Sequence, residues 1–147
     1  MSATPVEVLP VTRRVPRLPR WLRRALFWGS GAALGYVLVG GWLAWMFLHP
    51  PRERGHGTPA DYDLAYEPVS LKTADGVRLA AWYVPSPGAR AGIVVCHGYG
   101  ASRRFVTGLL PFLHRAGFAV ISFDFRGQGE SGGRYCSFGE CEKEDVR

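Results

Sequence analysis

An uncharged apolar segment, Ala25–Leu48, constrains this chain more than any other feature of its sequence. As an α-helix, its 24 residues span roughly 36 Å, against about 30 Å for the hydrocarbon core of a bilayer. Trp42 and Trp45 lie near its far end, where amphipathic rings settle at the headgroup level. We therefore predict a transmembrane helix over residues 21–48, in contact with the lipid bilayer through residues 25–48.

The basic charge of the chain is concentrated before this segment. The net charge is +6, and residues 1–24 hold six arginines against Glu7, whereas the remainder is almost balanced. Arginines beside an apolar run hold the N-terminus in the cytoplasm, whereas nucleic-acid binding needs a basic folded face. We expect a disordered cytoplasmic tail over residues 1–20, a linker over 49–62 on the non-cytoplasmic side, and no nucleic-acid partner.

The apolar segment allows two further interpretations. A cleaved signal peptide has an apolar run of about 7–15 residues and then a small-x-small cleavage site. The apolar run of this chain is longer and no convincing site of that kind follows it, which favours an uncleaved anchor. Gly31 and Gly35 form a GxxxG pair that would let two helices approach closely in a dimer. Because glycine is common in membrane helices generally, the pair alone leaves dimerisation open.

The three cysteines, Cys96, Cys136 and Cys141, show no metal-binding spacing. We expect no metal site and no cofactor. Cys96 lies in an apolar run and is expected to be a small buried hydrophobe. Cys136 and Cys141 are close enough in sequence for a disulfide in an oxidising compartment, although we favour free thiols.

The sequence after the linker predicts a β-hairpin followed by a strand-helix-strand crossover. Leu64–Thr73 and Val77–Val84 flank an Asp-Gly turn and predict a β-hairpin. Gly92–Cys96 is a continuous apolar run, typical of a strand covered on both faces. A helical pattern of apolar residues follows, which Pro111 weakens and Gly117 ends, and Phe118–Phe123 predicts the next strand. Ser137 to Glu140 fits a capping box, which predicts a helix from about Phe138.

Two motifs follow the two apolar strands. The first strand is followed by His97, Gly98, Tyr99 and Gly100, and the second by the segment DFRGQGES, Asp124–Ser131. Their order and spacing resemble the α/β-hydrolase family, in which HGxG and DxRGxGxS occupy these positions. The resemblance covers residues 63–147 and implies an incomplete α/β-hydrolase sheet, an N-terminal part of that domain, preceded by one transmembrane helix.

The resemblance implies a role for each motif. A tight glycine-bearing turn lets a backbone N–H face a developing oxyanion, and by resemblance that donor is the Tyr99 amide. His97 is implied to be a structural partner and not the catalytic base. The remaining motif residues are implied to fix the loops, the Asp124 carboxylate by accepting backbone N–H groups or by pairing with the Arg126 guanidinium. These loop residues are Gly98, Gly100, Asp124, Arg126, Gly127, Gly129 and Ser131.

Ser131 lies in a GxSxG pattern, which invites its assignment as a nucleophile. A nucleophile elbow requires a strand directly before the serine and a helix directly after it, and neither is predicted here. The family order is serine, acid, histidine, and no histidine follows His114. We interpret Ser131 as a loop residue and find no triad residue in this chain.

Two functions remain. The first is the N-terminal portion of a membrane-tethered serine hydrolase of esterase, lipase or peptidase type, inactive alone, in which Gly92–Cys96 lies on an open sheet edge. The second is a small membrane-anchored interaction module whose open edge is covered by a partner strand.

Overall fold

The structure is a computed structural model that describes residues 18–53 and 55–146. Most of the expected cytoplasmic tail, residues 1–17, lies outside the described residues. The chain divides after Gly40 into two compact units, and the second, Gly41–Arg147, begins within the last turns of the long helix. All contacts described below lie within this second unit.

One long helix, α1, runs from Arg20 to Leu48 and covers the predicted span 21–48. By length and composition it is able to cross a membrane, a test that a signal sequence near the N-terminus also passes. None of its residues is buried, and its tryptophan and phenylalanine side chains are all exposed.

A four-stranded mixed sheet forms the centre of the second unit, in the order β1-β2-β4-β3. The strands are β1 (Glu67–Lys72), β2 (Arg78–Val84), β3 (Gly92–Cys96) and β4 (Ala119–Phe123). β1 and β2 form the predicted antiparallel hairpin, with Leu71 opposite Leu79. β4 pairs antiparallel with β2 and parallel with β3. The hairpin and the strand-helix-strand crossover are therefore both confirmed.

The crossover helix forms in two pieces. A 3₁₀-helix, Arg103–Leu109, passes directly into the α-helix α2, Leu110–Arg115. Pro111 lies in the first turn of α2, where the missing N–H of proline has no intrahelical partner to lose. The Gly117 amide donates to the His114 carbonyl over 2.9 Å and ends the helix as predicted. Proline thus divides the helix rather than abolishing it.

The two faces of the sheet are packed differently. One face is buried against the crossover, with Val84, Val95 and Val120 packed beside Leu110 and Leu64. The other face carries a second apolar cluster of Leu79, Ala81 and Phe123. Beside that cluster lies an open groove of about 560 Å³, whose lining includes Val94 and Ile121. The sheet is therefore well covered on one side only, within the described residues.

Two expectations for β3 are wrong. Only Val95 of this strand is buried, so β3 is not covered on both faces, and Cys96 is exposed rather than a buried hydrophobe. The cause is position, because β3 is an edge strand that pairs with β4 alone among the described strands. An apolar run in a strand indicates burial only when other elements lie on both sides of that strand. Cys96, Cys136 and Cys141 are all free thiols in the structure, as favoured from the sequence.

The helix predicted from about Phe138 is also wrong. Phe138 has a φ of 55° and Gly139 a φ of 109°, values that no right-handed helix contains. A short 3₁₀-helix begins later, at Glu142. The Ser137 amide and hydroxyl donate to the Glu142 carboxylate, over 2.7 Å each, and not to Glu140. The carboxylate that accepts hydrogen bonds from Ser137 thus lies two residues further along the chain than the capping box predicts.

The open edge of β3 makes residues 49–147 prone to aggregation. We expect this segment, expressed without α1, to pellet in sedimentation, since an apolar open edge pairs with other chains. Val94 is 51% exposed on that strand, and Val94→Lys is expected to raise the monomeric fraction several-fold. Ser70→Lys, on the polar strand β1, is the matched control and is expected to change little. A wild-type segment that is monomeric and melts cooperatively would contradict this prediction.

Candidate active site

The two motif loops lie at the same edge of the sheet. β3 and β4 are adjacent and parallel, with Cys96 opposite Phe123. The HGYG turn leaves β3 at His97, and the Asp124–Ser131 loop leaves β4 directly after Phe123. The carboxyl ends of neighbouring parallel strands form the crevice in which open α/β sheets bind ligands. Topology alone therefore brings the two predicted motifs together.

Two hydrogen bonds join the HGYG turn to the neighbouring loop. The Phe125 amide donates to Nε2 of His97 over 3.1 Å, and the Gly100 amide donates to Oε1 of Gln128 over 2.7 Å. Because a backbone N–H only donates, Nε2 is an acceptor and the ring proton resides on Nδ1, which donates to the Gly98 carbonyl over 2.7 Å. Both ring nitrogens of His97 are thus engaged within the loops, which supports its interpretation as a structural partner.

The Tyr99 amide differs from the two amides that follow it in this turn. The Gly100 amide is held by Gln128 and the Ala101 amide by the Gly98 carbonyl, whereas the Tyr99 amide has no acceptor among the described residues. A cleft of about 210 Å³ lies beside it, lined chiefly by apolar and aromatic groups. An N–H group held without a partner at the edge of an apolar cleft is available to a ligand oxygen.

The Asp124 carboxylate is the centre of a buried cluster. It is 1% exposed and accepts hydrogen bonds from the Arg103 amide over 2.6 Å and from the Glu130 amide over 2.8 Å. It also forms an ion pair with the Arg103 guanidinium, which in turn contacts the Glu130 carboxylate and lies 4.5 Å above the Trp82 ring. Asp124 accepts backbone N–H groups as expected, but its cationic partner is Arg103 and not Arg126.

Arg126 joins three separate segments instead. Its guanidinium contacts Asp145 in the last 3₁₀-helix, at 2.7 Å, and Asp75 in the hairpin turn, also at 2.7 Å. Its backbone amide donates to Asp145 over 2.9 Å. The hydrogen bond from Arg126, with a further one from Thr73, lowers the pKa of Asp75 to about 2. Arg126 therefore fixes the loop to the start and to the end of the folded unit.

The glycines of the second motif permit these close approaches. A Cβ built on Gly129 would lie 2.3 Å from Oδ2 of Asp124, and one built on Gly127 would lie 2.8 Å from the Tyr135 carbonyl oxygen. Both residues also have positive φ, 49° and 71°. Only glycine satisfies both conditions at these positions. The loop can fold over Asp124 because it carries no side chain there.

Ser131 is buried inside this loop, with 1% of its surface exposed. Its hydroxyl donates to the Asp124 carbonyl over 2.5 Å and accepts from the Ala80 amide in β2 over 2.9 Å. Its backbone carbonyl accepts from the Arg52 guanidinium over 2.6 Å. A hydroxyl that ties a loop to a strand has no access to a substrate, which supports the structural interpretation of Ser131 over the nucleophilic one.

Three contributors to the site were not identified from the sequence: Arg103, Gln128 and Glu142. Gln128 occupies the variable position of RGxG, and nothing in the sequence indicates that it would hold the HGYG turn. Arg103 is 4% exposed, and only its contacts distinguish it from the adjacent Arg104. Burial alone would raise the pKa of Glu142, but hydrogen bonds from Ser137 and from the Gly139 amide lower it to about 2.

Loss of the Asp124 charge is expected to be costly. In Asp124→Asn the Arg103 guanidinium stays buried without its counter-charge, and we expect a loss of about 3 kcal/mol in the free energy of unfolding. Glu130→Gln, whose side chain is 40% exposed, is the matched control, with an expected loss under about 1 kcal/mol. Pulse proteolysis of the full chain in detergent across a urea series measures both. Equal losses for the two variants would contradict a central role for Asp124.

Acid is expected to open the loop that Glu142 holds. The pKa of Glu142 is lower in the folded protein than in the unfolded chain, so its contribution is complete above about pH 4.5 and is lost as pH falls toward about 2. Pepsin cleavage near Phe138 should therefore rise over this interval. Glu142→Gln should be cleaved rapidly throughout it, with little pH dependence. The control Glu140→Gln, whose carboxylate contacts Lys143 at the surface, should follow the wild type; identical profiles for all three would refute the assignment.

Comparison with known proteins agrees with this geometry. Residues 87–143 match the family model described as serine aminopeptidase, S33. YfhR of Escherichia coli, an uncharacterized protein, is 32% identical over 130 residues, which cover 85% of this chain and 42% of YfhR. The uncharacterized Rv2307c of Mycobacterium tuberculosis is 40% identical over 68 residues, 45% of this chain and 24% of that protein. The chain thus spans less than half the length of these relatives.

Solved structures give the same result. The esterase Pf2001 of Pyrococcus furiosus matches with a TM-score of 0.62 and 34% identity, covering 68% of this chain and 38% of the esterase. An α/β hydrolase of Vibrio vulnificus matches in fold with a TM-score of 0.51 and 24% identity, covering 64% of this chain and 34% of that one. The order of the motifs, the partial mixed sheet and these likenesses together show that the chain has part of the α/β-hydrolase fold.

Proposed function

We propose that this chain is the N-terminal portion of a membrane-tethered serine hydrolase, with α1 as its anchor. The observation that carries the proposal is the Tyr99 amide, which lacks an acceptor within the described residues and lies in a turn fixed on both sides by His97 and Gln128. Such a preorganised N–H stabilises the oxyanion that forms when an acyl carbonyl is attacked.

The nucleophile, acid and base of this hydrolase are proposed to come from residues after Arg147. The coverage of YfhR and of the Pyrococcus esterase, 42% and 38%, supports this division. In the proposed reaction a serine hydroxyl, activated by a histidine, attacks the substrate carbonyl, and water then releases the acyl group. This chain contributes one oxyanion donor and the anchor, and alone it is expected to be inactive.

The proposed substrates are esters, lipids or peptides. The Pyrococcus relative is an esterase by name, and the matched family is described as a serine aminopeptidase. The arginines before α1 favour a cytoplasmic N-terminus, which would leave the hydrolase part on the other side of the membrane. The likeness to hydrolases favours the enzyme over the alternative of an interaction module.

A fluorophosphonate probe, which reacts with activated serines, tests the proposal on the gene product that continues past Arg147. We expect labelling at one serine, retained in Ser131→Ala. Tyr99→Pro removes the amide hydrogen and should slow labelling by about 10²-fold, as the loss of one oxyanion donor does. Tyr99→Ala keeps that hydrogen and is the matched control, expected to slow labelling less than about tenfold.

Two results would contradict the proposal. Labelling at Ser131 would make that buried residue the nucleophile and would remove the need for a downstream serine. Equal labelling rates for Tyr99→Pro and Tyr99→Ala would remove the Tyr99 amide from the site.

A further inference from the structure

We propose that the stacked aromatic pair of Tyr99 and Phe138 is a membrane-contacting surface, seated at the lipid headgroup level, through which the site receives the apolar part of its substrates. The proposal is based on the position of this exposed aromatic pair, which forms part of the rim of the apolar cleft and is hydrogen-bonded to the end of α1. The inference rests on the proposed membrane anchor, and it names amphiphilic, bilayer-borne esters as the substrate class.

The pair is exposed although it is apolar. The two rings are stacked, with centroids 4.8 Å apart and planes 17° apart. Phe138 remains 62% exposed and Tyr99 45% exposed. The Tyr99 amide, the proposed oxyanion donor, belongs to the same residue as one of the rings. A substrate carbonyl held by this amide would therefore place its neighbouring groups beside the pair.

The pair is tied directly to the last turn of α1. The Tyr99 hydroxyl donates to the Phe47 carbonyl over 2.6 Å, and the Cys136 amide donates to the Leu48 carbonyl over 2.8 Å. Carbonyls in the last turn of a helix have no partner within the helix, so these two donors cap it. Trp42 and Trp45 lie about one helical turn before the residues that carry these carbonyls. Tryptophans mark the bilayer interface in membrane helices, and the site loops therefore begin where that interface ends.

Phe138 is held in an exposed position by its own loop. Its positive φ of 55° is unfavourable for a residue with a bulky side chain. The Glu142 carboxylate accepts hydrogen bonds from the Ser137 amide, the Ser137 hydroxyl and the Gly139 amide, on either side of Phe138. A strained conformation persists only where its surroundings determine it so fully. The ring is therefore fixed outward instead of being free to fold into the core.

The residues around the pair suit a headgroup environment. Arg134 and Tyr135 are exposed and directly precede Cys136, whose amide caps α1. Arginine and tyrosine place apolar stems or rings in the lipid and polar ends at the phosphate level. One cation and one aromatic ring thus directly precede the residue that caps α1, a composition that suits phospholipid headgroups.

Photo-crosslinking tests this inference on the 147-residue chain itself, reconstituted in phosphatidylcholine vesicles. Benzoylphenylalanine replaces Phe138 in one variant and Phe112 in the control. Phe112 has the same exposed fraction, 62%, but lies in α2, whose His114 contacts the Pro85 carbonyl at the opposite end of the sheet. After irradiation, mass spectrometry measures the yield of the protein–lipid adduct, which we expect to be several-fold higher at position 138.

The outcomes separate this inference from the proposed anchor. A chain that resists extraction by alkaline carbonate but crosslinks equally at both positions, or more at 112, would overturn the membrane-contacting surface and leave the anchor standing. A chain released by carbonate would overturn the anchor and this inference with it. Both results are independent of hydrolase activity, and neither depends on residues after Arg147.

Discussion

The structure depends on one buried carboxylate, that of Asp124 at the end of β4. It accepts two backbone N–H groups, from the crossover and from the following loop, and it neutralises the buried Arg103 guanidinium. A charge removed from water is tolerated only when its remaining lone pairs and protons are satisfied in this way. The loop reaches over Asp124 because Gly129 has no side chain, and Ser131 then closes it onto β2. The crossover, the sheet and the second motif loop are thus held by a single cluster.

That cluster supports the candidate site without forming it. The HGYG turn is held by His97 and Gln128, which connect it to the loop that Asp124 organises. The position of the Tyr99 amide is therefore fixed indirectly by Asp124, which does not line the cleft. The hydrogen bond from the Tyr99 hydroxyl to the end of α1 also holds this turn, from the side of the proposed membrane. A preorganised donor requires this kind of support, because an N–H free to rotate away gains little from a developing charge.

The errors made from the sequence share one cause. Residues that look equivalent in the sequence have different roles in the structure, because their contacts form only in the folded protein. Arg103 is buried, whereas Arg104 beside it is half-buried, and Glu142 rather than Glu140 takes the Ser137 contacts. The apolar run of β3 predicted a strand correctly, but it carried no information on whether neighbours would cover both faces. Cys96 is exposed for the same reason.

The sequence by itself determined the long apolar helix, the hairpin, the alternation of strand and crossover, and the two glycine motifs with their order. These are local properties, set by hydrophobic periodicity, charge and turn residues within a few positions of one another. The tertiary structure decided which arginine neutralises Asp124, which glutamate holds Phe138, and which amides of the HGYG turn have acceptors. Those choices join residues that are distant in sequence, and they follow from the burial of charges and N–H groups, which is defined only once the chain has folded.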